Sequence, residues 1–257
     1  MTEPRHQYVG IAATTSIEEI YKLQEILRLV RWPESVWFMN GPLVSRKTLV
    51  GEPPSNPAQY PQISQVADLM VSDDRFFNVV HFNSRDPRLC QQLNQIMQFI
   101  PRAQGIQLNI SWPEPGQLTE FRQVYPQPNL ILQVSRFAYR EAGGSPARLI
   151  QRLKPYEGLV DYVLFDPSGG EGISFDLVEA VSVLEAEVDS GLDFGWGVTG
   201  GLDADRVYRL QELLDIYPQL CWDAQSRLRS GDEQDTLSIA RCFEFLAESS
   251  RLLKQYQ

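Results

Sequence analysis

Cysteine and histidine are scarce in this chain, and their scarcity bears on disulfide bonding and metal binding. The 257 residues include three cysteines and two histidines. Cys90, Cys221 and Cys242 lie far apart without a Cys-x-x-Cys pair, so the sequence encodes neither a disulfide framework nor a thiolate metal site. His6 and His81 would supply a zinc-type site poorly. We therefore expect no bound metal.

Positive charge and long apolar runs are also lacking. The chain carries 23 lysines and arginines against 33 acidic residues, which gives a formal net charge of −10. A nucleic-acid surface needs clustered positive charge, so we expect no nucleic-acid partner. No apolar run approaches the roughly 20 residues that span a bilayer, and the polar start does not resemble a signal peptide. These absences predict a cytoplasmic protein without a membrane partner.

Short apolar runs alternate with segments of helical period along the whole chain. This alternation predicts an α/β fold with a parallel sheet and crossover helices. Eight strand–helix units in about 250 residues favour a (β/α)8 TIM barrel, with residues 1–257 as a single domain. A doubly wound open sheet is the alternative, but Gly10 to Thr14 lacks the glycine-rich loop of that fold. The predicted strands are Tyr8 to Ala12, Ser35 to Met39, Phe77 to Phe82, Gly105 to Ile110, Asn129 to Ser135, Tyr162 to Asp166, Phe194 to Thr199 and Leu220 to Asp223.

Apolar residues recur at every third and fourth position between these strands, which is the period of an amphipathic helix. Ser16, followed three residues later by Glu19, predicts a capping box at the start of the first helix. The predicted helices are Ile17 to Val30, Leu89 to Ile100, Ala147 to Leu153, Phe175 to Val188, Ala204 to Tyr217 and Thr236 to Lys254, with weaker patterns over Gln59 to Met70 and Gln117 to Val124.

The stretch from Gly41 to Pro61 is irregular and proline-rich. It follows the second predicted strand and is longer than the roughly 12 residues of an ordinary loop in a compact domain. In a barrel, such a βα loop insertion lies over the carboxyl-terminal face, where active sites are found. Its position favours a functional loop, and a surface spacer without function is the alternative.

Two glycine clusters follow the sixth and seventh predicted strands. The first contains Gly169 and Gly170, whereas Gly200 and Gly201 directly precede the helix predicted from Ala204. Glycine lets backbone N–H groups approach an anion, and a helix that begins there adds the positive end of its dipole. Barrels often bind phosphate at the loops after strands seven and eight. The second cluster is therefore a candidate phosphate cradle, and a tight turn without a ligand is the alternative.

Acidic residues end two of the predicted strands. Asp166 closes an apolar strand and should lie at the barrel mouth, where partial burial raises a carboxyl pKa and suits a general acid. The alternative is a structural carboxylate that accepts N–H bonds from the following turn. Asp223, at the end of the eighth strand, allows the same two interpretations.

Two longer motifs carry a resemblance to a known family. Leu164 to Asp176 resembles the strand-six motif of phosphoribosylanthranilate isomerases, and Val198 to Val207 is similar to their strand-seven phosphate motif. Weaker similarity extends over about Tyr8 to Leu246, and it places Arg46 where the family has a substrate-binding arginine. The resemblance implies a TIM barrel that acts on a small phosphorylated ligand in a tryptophan-biosynthesis type of reaction.

The activity that the resemblance implies is an Amadori rearrangement without a cofactor, in which Asp166 is the general acid. The family's general base is a cysteine at the end of strand one, and alignment of the first strand puts Val9 in its place. Its strand-four histidine becomes Asn109. Loss of the base lowers such a rate by about 10² to 10⁴. We therefore expect little or no standard isomerase activity.

The loop after the eighth strand also departs from the family. Ala224 to Leu228 loses a phosphate-facing glycine but offers Ser226 and Arg227 as anion ligands. Arginines in the predicted βα loops further predict a positive mouth that attracts phosphate or carboxylate, with ordinary surface distribution as the alternative. These arginines are Arg46, Arg85, Arg136, Arg140, Arg227 and Arg229.

Two functions stay open from the sequence. The first is an isomerase-type phosphosugar enzyme with altered chemistry or substrate, and the second is an inactive relative that binds a ligand or a protein partner. Fold alone does not decide between them, because barrels support many activities. A Schiff-base aldolase is disfavoured, since Lys47 is the one lysine that closely follows a predicted strand.

Overall fold

The chain folds into a closed barrel of parallel strands surrounded by helices, a TIM barrel in one domain. The computed structural model describes residues 5–167 and 177–256. Hydrogen-bonded pairs run around the sheet in the order β2-β1-β9-β8-β7-β6-β5-β4-β3, and pairing of β2 with β4 closes the ring. The strands are β1 (Tyr8–Ala12), β2 (Trp37–Gly41), β3 (Leu43–Ser45), β4 (Phe76–Asn83), β5 (Gly105–Leu108), β6 (Asn129–Ser135), β7 (Tyr162–Asp166), β8 (Gly195–Val198) and β9 (Cys221–Ala224).

The short strands β2 and β3 are two halves of one barrel strand. Both pair with β4 in a continuous register, Asn40 opposite Asn78 and Leu43 opposite His81. Between the halves lies Pro42, which has no N–H to donate but accepts a hydrogen bond of 3.0 Å from the His81 N–H. Nine segments therefore make eight barrel strands, as the sequence predicts.

The prediction of an irregular stretch over Gly41 to Pro61 is wrong for its first part. The second barrel strand continues to Ser45, and a short helix over Arg46–Leu49 follows it. Ser45 caps this helix by accepting from the Thr48 N–H at 3.3 Å. Pro42 does not end the strand, because its carbonyl group still accepts a hydrogen bond from β4.

Helices cover the outside of the barrel. The capping box predicted at the first helix is confirmed, since Ser16 accepts from the Glu19 N–H and Glu19 accepts from the Ser16 N–H, each at 3.2 Å. The helices are α1 (Ile17–Leu29), α2 (Arg46–Leu49), α3 (Ile63–Asp68), α4 (Leu89–Phe99), α5 (Pro115–Val124), α6 (Arg136–Glu141), α7 (Pro146–Leu153), α8 (Leu177–Ser190), α9 (Ala204–Val207), α10 (Gln211–Ile216) and α11 (Ile239–Leu253). Within residues 5–167 and 177–256, no helix combines the length and apolar character needed to cross a bilayer.

Side chains alternate along each strand between two apolar cores. Val9 and Ile11 point outward into the large core between barrel and helices. The smaller core fills the lower half of the barrel interior, where aromatic rings dominate. Its buried members are Tyr8, Met39, Phe77, Val79, Ile131, Tyr162, Leu164 and Cys221. The next inward position along several strands lies at the carboxyl-terminal mouth, and there the lining changes from apolar to polar.

Candidate functional site

A polar cavity of about 200 Å³ lies at the carboxyl-terminal mouth of the barrel. Its position follows from the parallel sheet, because all strands end at the same face and their last inward side chains converge there. The lining residues come from seven of the eight barrel strands and the loops that follow them. They are Ala12, His81, Gln107, Asn109, Gln133, Asp166, Thr199, Gly200, Gly201, Asp223, Gln225 and Ser226.

A row of amides extends from Asp166 on β7 along the cavity wall to β5. The Gln133 Nε2 donates to Asp166 Oδ2 at 2.8 Å, and the Gln107 Nε2 donates to Gln133 Oε1 at 3.3 Å. The same nitrogen of Gln107 donates to Asn109 Oδ1 at 3.1 Å. Within the described residues, the Gln107 Oε1 is buried without a hydrogen-bond partner. The amides thus fix Asp166 in place and leave one acceptor for a ligand.

Asp223 is the second carboxyl group of the cavity, and its side chain is only 3% exposed. The Thr199 hydroxyl donates to its Oδ1, whereas its Oδ2 is buried without a partner among the described residues. Burial raises the pKa of Asp223 to about 7; the charge of Asp166 adds to the rise and the Thr199 hydrogen bond opposes it. A carboxyl group in this state can accept or donate a proton near neutral pH.

His81 adds no positive charge to the site. Its ring is buried, and this burial lowers its pKa to about 3, so the imidazole is neutral at physiological pH. The Nε2 lies 3.4 Å from the Met39 Sδ. Among the described lining residues none is lysine or arginine. The cavity is therefore acidic or neutral in character, and the positive mouth expected from the arginine count is wrong for this cavity.

The residue of β1 that faces the cavity is Ala12, not Val9. Val9 is fully buried in the outer core, because it has the opposite orientation along the strand. Ala12 ends β1 and lines the cavity with Asp166. The strand-one position that faces the site and lacks a base is therefore Ala12, three residues after the predicted Val9. The chemical consequence stays the same, since a methyl group accepts no proton.

The structure brings three of the predicted anion ligands together. Gly200, Gly201 and Ser226 line one side of the cavity, and the two glycines have φ angles of 105° and 64°, a region that favours glycine. The helix that follows is shorter than predicted: α9 is one turn, and the chain continues as a 3-10 turn over Tyr208–Leu210. Little dipole accumulates over one turn, so the helix adds less than expected. Gly169 and Gly170 lie outside the described residues.

The two predicted arginine ligands lie outside the cavity. Arg227 Nη1 is 3.6 Å from Asp203 Oδ2, in a neighbouring hollow that Arg241 and Glu244 also line. Arg46 Nε is 3.3 Å from Asp86 Oδ2. Each cation thus has an acidic neighbour, which reduces its attraction for a separate anion.

A buried arginine fastens three loops at the edge of the mouth. Arg229 is 2% exposed, and its guanidinium donates to the Ala13 carbonyl at 2.9 Å, the Ala58 carbonyl at 3.2 Å and Asp235 Oδ1 at 2.8 Å. Asp235 Oδ2 also accepts from Gln59 Nε2 at 2.5 Å. The second half of the proline-rich stretch is therefore docked beside the cavity. Sequence reasoning counted Arg229 as an anion ligand; the structure gives it this other role.

The docked stretch touches the cavity lining directly. The Gln225 Nε2, in the loop after β9, donates to Gln59 Oε1 at 2.9 Å. A groove of about 700 Å³ adjoins the cavity on the opposite side and shares Asn109 with it. Trp112 and the 66% exposed Phe137 line this groove. The mouth thus has one side closed by the proline-rich stretch and one side open.

Sequence reasoning missed the amide and hydroxyl groups of the cavity. Gln107, Gln133 and Thr199 are polar residues within or directly after apolar strands, and this break in the apolar pattern was the available signal. Within the described ranges, no three His, Cys, Asp or Glu side chains are grouped so that they could hold a metal ion. The chemistry that the arrangement offers is hydrogen bonding to hydroxyl groups and proton transfer by carboxyl groups.

Comparisons with known proteins support the fold. No protein-family model matches the chain, and no curated protein matches it. A solved structure described as "Native KDPGal structure" superposes with a TM-score of 0.54 at 10% identity, over 99% of this chain and 98% of that one. A Rubisco-like protein from Rhodopseudomonas palustris gives a TM-score of 0.54 at 11% identity, over 96% of this chain and 64% of that one. This chain thus spans less than two thirds of the Rubisco-like protein. At such identities the likeness shows the TIM-barrel fold alone.

Proposed function

We propose that this chain binds a small phosphorylated, hydroxyl-bearing ligand at the carboxyl-terminal mouth of the barrel. The observation that carries the proposal is one cavity in which Gly200, Gly201 and Ser226 face the same space as Asp166 and Asp223. Glycine N–H groups and a serine hydroxyl can donate to phosphate oxygens. Carboxylates accept from sugar hydroxyls. The glycines and Ser226 therefore suit the anion, and the carboxyl groups beside them suit the sugar-like part.

Two buried acceptor atoms without a donor among the described residues support the proposal of a ligand that carries hydroxyl groups. Gln107 Oε1 and Asp223 Oδ2 are both buried and have no partner among the described residues. A buried acceptor without a donor costs about 1 to 3 kcal/mol, so a ligand that donates to these atoms would recover that cost. The cavity volume of about 200 Å³ lies below the roughly 300 to 1,000 Å³ of pockets for drug-sized ligands, which favours a small ligand.

Within this class, the sequence resemblance favours a ligand similar to phosphoribosylanthranilate, with Asp166 as the general acid. The methyl group of Ala12 cannot act as the strand-one base, so we propose weak standard isomerase activity. The same loss supports a second candidate, a barrel that binds the ligand without turning it over. Introducing the gene into a tryptophan-requiring strain that lacks the isomerase tests this point. Absence of growth agrees with the proposal, and growth at the wild-type rate would contradict it.

The binding proposal is tested by placing a carboxylate in the glycine cradle. Gly201→Asp should repel an anion, and Gly191→Asp is the matched control, since Gly191 has a φ of 66° and open space around it. Both variants introduce the same charge at the same backbone conformation. We expect ribose 5-phosphate and inorganic phosphate to bind the wild type and the control equally and Gly201→Asp at least tenfold more weakly. Equal affinity in all three proteins, or no binding to the wild type at millimolar ligand, would refute the proposal.

A further inference from the structure

The inward positions at the upper end of β1 have no side chain larger than a methyl group, and Asp223 of the neighbouring strand β9 lies beside them. Gly10 pairs with Asp223 in the barrel register. A Cβ atom placed on Gly10 would lie 3.0 Å from the Asp223 Cβ and 2.3 Å from the Met39 Cε, so the position has no room for a side chain. The next inward residue of β1 is Ala12, which has a methyl group only. Asp223 therefore stands beside the place where β1 lacks a proton acceptor.

We propose that Asp223 is the proton acceptor of this barrel and acts in the same cavity with Asp166, two strands away around the barrel, as the proton donor. The proposal rests on the proposed function, because it needs a ligand bound between the two carboxyl groups. Neighbouring parallel strands are about 4.8 Å apart. A base on β9 thus approaches the ligand from a point one strand away from β1.

The contacts of Asp223 suit a group that exchanges a proton. Thr199 donates to its Oδ1 and so orients the carboxyl group, while Oδ2 has no partner among the described residues. A carboxylate with only a structural role is expected to have both oxygens satisfied when it is buried. Asp166 instead accepts a hydrogen bond from Gln133, which holds it on β7, two strands away from Asp223.

The reaction that these two groups can carry out is proton transfer next to a carbonyl group. The Asp223 carboxylate removes the C2 proton of a bound aldose phosphate, and the electron pair of that C–H bond forms the C1–C2 double bond. Asp223 and Asp166 share one proton; in the reactive form Asp166 holds this proton and gives it to the carbonyl oxygen at C1. The product is an enediol, and the reverse steps return a proton to C2. No oxidant, reductant or further reactant is needed.

Hydrogen exchange into a bound sugar phosphate tests this assignment. Ribose 5-phosphate is incubated with the full chain in D2O, and deuterium at C2 is measured by NMR, with binding measured separately by titration. We expect exchange with the wild type and a decrease of about 10² to 10⁴ in Asp223→Asn. Asp166→Asn should lower exchange as well, and Asp189→Asn, an exposed control on α8, should leave it unchanged. Binding by Asp223→Asn should weaken by about tenfold at most, since the substitution alters one hydrogen-bond acceptor for the ligand, and this loss is smaller than the loss of exchange.

Each outcome separates the two proposals. Binding by the wild type without C2 exchange, or equal exchange in Asp223→Asn, would overturn the role of Asp223 and leave the binding proposal intact. Loss of binding by the wild type would overturn both. The pH profile is a further readout, since the carboxyl pair must keep one proton and exchange should fall as this proton is lost above about pH 7. The groups that face Asp223 from other strands are Asp166 on β7, neutral His81 on β4 and Tyr8 on β1, and Asp223→Asn should remove this fall.

Discussion

The two halves of the barrel interior are built from the same strands but have opposite character. In the lower half, Tyr8, Phe77 and Tyr162 pack ring against ring, with centroid distances of 5.5 Å and 5.6 Å from Tyr8 to the other two. In the upper half, Asp166 and Asp223 stand among amides, and buried acceptors lack partners. The aromatic side chains of the lower half pack against one another, whereas some buried hydrogen-bond acceptors of the upper half have no donor among the described residues. We infer that the lower half of the barrel interior contributes most to stability and that the upper half binds the ligand.

The largest expected difference between the halves concerns aromatic packing. Phe77→Ala removes a fully buried ring from the lower half and should lower the free energy of unfolding by about 3 to 5 kcal/mol. Phe137→Ala removes the same side chain from the open groove, where it is 66% exposed, and should change stability by less than about 0.5 kcal/mol. Urea unfolding of both variants measures this. Similar losses of stability in the two variants would contradict the view that the lower half of the barrel carries the stability.

The buried Asp223 of the upper half should make the protein less stable as the pH rises. Native Asp223 keeps its proton up to about pH 7, whereas the unfolded chain loses it near 3.8. Between these values the native state binds the extra proton, so its stability falls with rising pH by at most about 4 kcal/mol. Buried His81 acts in the opposite sense, because its pKa of about 3 lies below its ordinary value of 6.5.

The difference between wild type and Asp223→Asn isolates this contribution, since both proteins share His81. Urea unfolding at pH 5 and pH 8 should show the variant gaining stability relative to the wild type at the higher pH. Glu187→Gln is a second reference, because burial also raises the pKa of Glu187 to about 7 outside the cavity. A wild type and an Asp223→Asn variant with parallel pH dependence would show that Asp223 is ionised in the native protein.

The edge of the mouth provides a smaller contrast between two arginines. Arg229→Met leaves the Asp235 carboxylate and two carbonyl groups without their donor, and we expect a loss of about 2 to 3 kcal/mol. Residues 51–61 should also become more sensitive to proteolysis. Arg227→Met breaks a longer, partly exposed pair and should cost less than about 1 kcal/mol. Equal effects would show that Arg229 does not fasten the loops.

The smallest expected effect compares two buried glutamines at opposite ends of the barrel. Gln7 Nε2 donates to the carbonyls of Pro218 at 3.1 Å and Leu220 at 2.8 Å, so Gln7→Leu should cost about 1 to 2 kcal/mol. Gln107→Leu also removes an acceptor that has no donor, and its cost should stay below about 1 kcal/mol. Binding of ribose 5-phosphate should weaken in Gln107→Leu alone. A larger loss of stability in Gln107→Leu than in Gln7→Leu would show that Gln107 contributes to folding and not chiefly to ligand binding.

Much of the barrel is predictable because each strand and helix has its own local pattern. Three strands have the predicted bounds, β1, β6 and β7, and each is an apolar run bounded by polar residues or turns. The helix α6 was missed, since Arg136–Glu141 is six residues long and follows its strand without a loop. The predicted helix from Ala204 to Tyr217 is three short segments. Short helices have too few turns for their apolar period to be recognised.

The site was predictable in part for the same reason. Asp166 and Asp223 end apolar strands, so their place at the mouth follows from the direction of a parallel sheet. Arg46 and Arg227 follow strands too, yet each has an acidic neighbour outside the cavity. Those acidic neighbours, Asp86 and Asp203, come from other loops. The partner of a long, flexible side chain depends on which loops meet in space.

The sequence by itself determined the alternation of strands and helices, the acidic strand ends and the glycine turn at Gly200 and Gly201. These depend on contacts between residues close along the chain, which local pattern records. The tertiary structure decided that Ala12 and Asp223 face the same cavity. It also decided that Arg229 is buried among three loops. These outcomes depend on strand register and on loops that are far apart in sequence, and no local pattern specifies either.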